Sequence, residues 1–240
     1  MNAVALRSFD TEIARETSRD ALLERYRQLR AISRTVHMGA VNATPREVIQ
    51  RMGRRLGLVQ GKVFALHSPD ELDFVFDLII YNAPPGETRP VDRYARRAGF
   101  AADSDEALML RAMRASRFAF VRVERRHDIA GLILTDLTRH EEIWLLDEGM
   151  ESSFPDGYVF FTRLHAPEAF CMTAGVFVPV SDGLLSEALD GTSCFSRKTM
   201  REAVEDRRFA EAIYRAALRN GICDRIRFQD APAPAALVDS

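Results

Sequence analysis

Asp73 and Asp77, one helical turn apart, are the nearest thing in this chain to a paired-carboxylate site. On a helix that spacing puts both side chains on one face, where they could share a divalent cation or divide acid and base roles. Two carboxylates without a histidine or a third acid leave most metals under-coordinated. The preferred expectation is therefore that both form ion pairs with Arg93, Arg96 or Arg97, and a metal-dependent enzyme is kept as an alternative. A second pairing is His165 with Cys171, which consecutive strands would bring together across a short turn, as thiol catalysis requires. Cys171 sits in an apolar run, however, where cysteine behaves as a small hydrophobe, and the dyad is set aside. His37, His67, His127 and His140 are scattered, and glycine-rich nucleotide loops, nucleophile elbows and metalloprotease spacings are missing from the chain. The reading at this level assigns no catalytic residue, no metal and no cofactor.

Arg89, Arg93, Arg96, Arg97, Arg111 and Arg114 form the one basic concentration that could face phosphate. Thirty-one of the 33 basic residues are arginines, Lys62 and Lys198 being the only lysines, so arginine clustering carries less information here than usual. The net charge is −2, and residues 117–180 hold six arginines against ten acids. A nucleic-acid module normally has the opposite sign, so nucleic acid is disfavoured and the arginine patch stays as an alternative. Cys171, Cys194 and Cys223 make an odd set with neither disulfide-framework nor zinc spacing. No run of signal-peptide or membrane-span length is present, and the expectation is a cytoplasmic protein without a membrane partner.

The elements that must position these residues are legible from periodicity. Between Arg117 and Pro179 apolar spacing changes from helical to strand-like: Phe118 and Phe120 fall on one face, Ala119, Val121 and Val123 on the other. Four more strands follow, over 132–136, 143–146, 157–164 and 170–178. Short connections suggest a five-stranded antiparallel meander or small barrel with helices on its outside. Four capping boxes, pairing Thr44 with Glu47, Ser68 with Glu71, Asp103 with Glu106 and Thr199 with Glu202, predict helices over 45–56, 69–82, 104–116 and 200–219, with a weaker one over 89–97. A helix over 182–189 and a strand over 222–228 complete the reading.

The first helix is expected from near Asp10 to about Val36. Its apolar stripe of Leu22, Tyr26, Leu29, Ile32 and Val36 reads either as core or as the face of a homodimer. The fold class is α+β: a helical region (1–116) on the antiparallel β region (117–180), a C-terminal helical brace (181–230) and a disordered tail (231–240), folding as one cooperative unit.

Five segments, 54–62, 72–78, 114–118, 134–142 and 156–164, resemble a family of uncharacterised bacterial proteins that join a helical region to a small β-barrel, sometimes with a C-terminal SEC-C zinc motif. That resemblance spans roughly 50–180 and implies a fold rather than catalytic residues; the cysteine-rich C-terminus that zinc would need is missing. The functional expectation is a non-catalytic protein-interaction or regulatory module, its partner another protein or a second copy of itself.

Overall fold

The computed structural model describes residues 18–84, 86–190, 194–195 and 197–221. Expectations for residues 10–17, the strand over 222–228, Cys223 and the tail lie outside that range. The chain is α+β, with nine helices among the described residues and one five-stranded antiparallel sheet.

Helix α1 (Arg19–Asn42) starts where the Ser18 hydroxyl accepts the Ala21 N–H. Then come α2 (Arg46–Leu56), a β1–β2 hairpin (Val59–Gln60, Val63–Phe64), α3 (Glu71–Tyr81), α4 (Pro90–Ala95) and α5 (Asp105–Arg114). Only one of the four capping boxes closes as such, at Thr199 and Glu202. The Thr44 hydroxyl turns back to the Ala40 carbonyl at the end of α1, Ser68 accepts from the Asp70 N–H, and Ser104 rather than Asp103 caps α5. The helices still begin close to where they were expected, because the flanking prolines and acids favour a first turn without a closed box.

On α1, Leu22, Tyr26, Leu29 and Val36 are buried, and Ile32 is partly buried against the same core. Helices α3, α4 and α5 of the same chain cover them. Of the two readings of this stripe, core and dimer face, its enclosure by its own chain is that of core, Leu29 and Val36 being wholly inaccessible.

The sheet comprises β3 (Arg117–Arg126), β4 (Leu132–Asp136), β5 (Glu141–Leu145), β6 (Val159–His165) and β7 (Met172–Pro179), in the order β5-β4-β3-β6-β7. A simple meander is thus corrected: β6 returns beside β3, with Phe120 opposite Phe161, instead of beside β5. The cause is a short helix that the sequence reading missed, α6 (Glu148–Ser153), begun by the Asp147 carboxylate accepting the Met150 N–H. It carries the chain past β5 and buries Met150, with Phe154 after it, against Val121, Leu134 and Phe160 inside the curled sheet. The edges β5 and β7 meet at one parallel bridge, Leu145 to Cys171, so the sheet is curled without closing into a barrel. This strand order, with a helix between the third and fourth strands, is that of the partly open OB-fold.

Alternation along β3 is as predicted. Ala119, Val121 and Val123 face the inner cluster, while Phe118 joins Phe161 and Val178 against the helices. Those helices include α7 (Asp182–Asp190), α8 (Met200–Glu205) and α9 (Phe209–Arg219). The single helix expected over 200–219 is broken because Asp206 accepts the Arg208 N–H and pairs with both Arg208 and Lys198, turning the chain between α8 and α9.

Candidate anion-binding pocket

A buried ion pair fixes the two helices that matter most. Asp77 on α3 receives Arg163 of β6 in a two-pronged contact, Nε to Oδ1 at 2.7 Å and Nη2 to Oδ2 at 2.9 Å, and the Tyr214 hydroxyl of α9 donates to Oδ2 at 2.9 Å. The guanidinium also lies 4.6 Å from the Tyr81 ring centre. Burial alone would lower the Arg163 pKa, but the Asp77 charge and hydrogen bonds outweigh it and hold the guanidinium more firmly charged than usual. Asp77 therefore has an ion-pair role, as preferred, but with Arg163 in place of Arg93, Arg96 or Arg97. Among the described residues no group of three or more His, Cys, Asp or Glu could hold a metal, and the Asp77 oxygens are already engaged.

Asp73 behaves differently. Its side chain is exposed, but desolvation by the packed helix surface beneath it, then the nearby charges of Asp70 and Asp77, push its carboxyl up to about 6, from an ordinary 3.8. Between those values the folded protein holds a proton that the unfolded chain releases, so stability falls as pH rises from about 4 to 6 and the whole penalty is present at pH 7. Asp73→Asn should accordingly stabilise the protein at pH 7 by up to about 1 kcal/mol, the shift being discounted for the screening of an exposed group, and gain nothing near pH 3.5. Urea unfolding at the two pH values checks this, and equal stability of variant and wild type at pH 7 contradicts it.

His165 and Cys171 do not meet as a dyad. The His165 ring lies edge-on to Tyr81 on the helix-facing side of β6, and burial, followed by the charges of Arg163 and Arg30, holds its pKa well below the ordinary value. Cys171 packs against the inner cluster, where burial pushes its thiol up to about 11, against the nucleophilic form.

The arginines singled out from the sequence separate into different environments. Arg89 and Arg114 both pair with Asp92, at 2.7 and 2.9 Å. Arg111 donates to the Ala102 carbonyl, while Arg96 and Arg97 are exposed. Arg93 donates to the Thr88 carbonyl and borders a pocket. The outer face of β4 and β5, where an OB-fold takes oligonucleotides, presents Thr135 and Glu142 instead of a basic track.

The pocket that Arg93 borders lies among α2, α3, α4 and α9 and has a volume of about 210 Å³. Val48 and Met52 of α2, Ile79 of α3 and Pro90 of α4 form its apolar part, with Ala83 and Pro84 from the connecting loop. Asn82 ties that loop to the start of α9 by donating to the Arg207 carbonyl at 2.9 Å. Four arginines border the space, Arg51, Arg55, Arg93 and Arg207, against Glu87 and Glu211. Glu211, buried, already accepts from Arg55 at 3.0 Å and from Arg215 at 2.6 Å. Arg51, Arg93 and Arg207 have no carboxylate partner among the described residues. Since α3 and α9 hold Asp77 and Tyr214 on other faces, the buried ion pair sets the width of this space.

A larger and more open hollow of about 550 Å³ lies beyond Arg55, lined by Arg54, Arg215 and Arg219 with Glu71 and His67. Arg54 and Arg219 occupy the last turns of α2 and α9, where cations offset the negative ends of the helix dipoles, which accounts for their presence without a ligand. The smaller pocket, more enclosed and with three of its four arginines lacking a carboxylate partner among the described residues, is the better candidate.

No curated protein and no solved structure matches this chain. The model of a family described as "Family of unknown function (DUF7986)" matches residues 20–226, a wider span than the segments that suggested a resemblance, and the chain belongs to that family.

Proposed function

We propose that this chain is a non-catalytic regulatory module of the cytoplasm that binds a small ligand in the pocket among α2, α3, α4 and α9. The observation that carries the reading is the pocket's composition, an apolar lining bordered by arginines from α2, α4 and the turn before α9, three of which have no carboxylate partner among the described residues. Small-molecule sites have this make-up: apolar walls for affinity and a few placed polar groups for orientation. The walls are helices and a short loop held by the Asp77–Arg163 pair, a rigid frame that a ligand could shift only by moving α9 or the 82–89 loop. A protein partner, or a second copy of the chain, would then read the occupied state through a surface other than the enclosed α1 stripe.

Ligand-observed NMR with a mixed library of small acids, amides and alcohols tests the reading. Ala83→Trp places an indole in the hollow and should abolish the binding seen with the wild type while the protein stays folded by circular dichroism. An absence of wild-type binders, or binders indifferent to Ala83→Trp, would remove the pocket as the functional site.

A further inference from the structure

Resting on that pocket reading, we propose that the ligand is a small amphiphilic anion with one oxyanion head, held by Arg51, Arg93 and Arg207, and a short aliphatic body lying on Met52, Ile79 and Pro90.

Charge is the first argument. Of the two lining carboxylates, Glu211 is matched by Arg55 and Arg215, and Glu87 stands exposed at the rim. Three guanidinium groups therefore border a partly apolar hollow whose only unpaired lining carboxylate among the described residues is the exposed Glu87, and each is a fork of donors suited to a carboxylate or phosphate.

Volume is the second. At about 210 Å³ the hollow lies below the ~300–1,000 Å³ of pockets that take drug-sized ligands, which suits an oxyanion head with a short aliphatic body. Carboxylate and phosphate heads share the chemistry these residues recognise, and the experiment separates them.

Calorimetric titrations of the full chain at low salt should compare pentanoate, butyl phosphate, the neutral pentanamide and inorganic phosphate. One of the two amphiphilic acids should bind, identifying the head, while pentanamide and inorganic phosphate bind roughly tenfold more weakly or worse. The double variant Arg51→Gln, Arg207→Gln removes two exposed, unpaired cations; it should weaken the acid about tenfold or more with an unchanged melting temperature for the free protein. Equal binding of pentanamide and pentanoate, both lost in Ala83→Trp, would overturn the anion proposal and leave the pocket standing. Inorganic phosphate binding as tightly as butyl phosphate would overturn the aliphatic body. Binding by none of the four, together with no pocket-dependent binder in the mixed library, would overturn both the proposal and the reading beneath it.

Discussion

Arg163→Ala is expected to destabilise the protein by about 3–5 kcal/mol, because it leaves Asp77 charged, buried and facing only the Tyr214 hydroxyl. Against a total stability of ~5–15 kcal/mol for an ordinary domain, that is a large fraction. Asp77→Ala should cost a similar amount for the converse reason, a guanidinium left among Tyr81, Phe118 and Tyr214 without a carboxylate. The double variant Asp77→Ala, Arg163→Ala leaves neither charge buried without its partner, so its loss should be well below the sum of the two single losses. Urea denaturation of the three proteins completes the cycle. A double-variant loss equal to the sum of the single losses would mean that the two side chains do not interact, contrary to their 2.7 Å contact. The same variants bear on the pocket, since α3 and α9 would lose the pin that sets their separation.

Strands were legible because a period of two survives any tertiary context. Leu132–Asp136 has the predicted bounds, and the two faces of β3 divide as the alternation of Phe118 and Phe120 against Ala119, Val121 and Val123 requires. Their order was not legible, since it turns on α6, six residues without room for a periodic stripe. Its one local sign was Asp147, an N-cap three residues before Met150. The α1 stripe was visible as an apolar face, but its cover comes from α3, α4 and α5, and nothing local in α1 distinguishes those helices from a second copy.

The candidate site was hidden for a related reason. Asp77 was noticed, but its partner is 86 residues away on a strand where an arginine between Thr162 and Leu164 reads as one outward residue among many. The pocket arginines come from α2, from α4 and from the break before α9. Their four-residue spacings, Arg51 to Arg55 and Arg207 to Glu211 to Arg215, mark helix faces in the sequence, yet only tertiary packing shows that the faces meet. With 31 arginines in the chain, the denser run from Arg89 to Arg114 drew attention first, and much of it is absorbed by Asp92 and backbone carbonyls.

Gly131→Ala should be among the most damaging single-methyl changes in the β region. Gly131 lies in the β3–β4 turn with φ +82°, a left-handed conformation that costs an L residue about 1–2 kcal/mol. Its added Cβ would fall 2.1 Å from the Leu145 carbonyl oxygen, backbone that cannot swing aside as a flexible side chain would. Leu145 is also where the sheet edges meet: the Cys171 N–H donates to the Trp144 carbonyl at 2.7 Å, and the Leu146 N–H to the Cys171 carbonyl at 2.9 Å. Displacing that end of β5 loosens both hydrogen bonds, and a total loss of about 3 kcal/mol or more follows from strain plus the weakened junction. Gly157→Ala is the control, with φ +81° and open space where the methyl would go, so it should show the conformational cost alone. Trp144, the chain's one tryptophan, stacks on His127 at 4.2 Å and donates its Nε1–H to the Ala130 carbonyl, beside the glycine. Its emission should shift to the red in folded Gly131→Ala and stay unchanged in Gly157→Ala. Equal losses of stability in the two variants would show that β5 yields to the methyl at no cost and that the close approach at Leu145 does not constrain the turn.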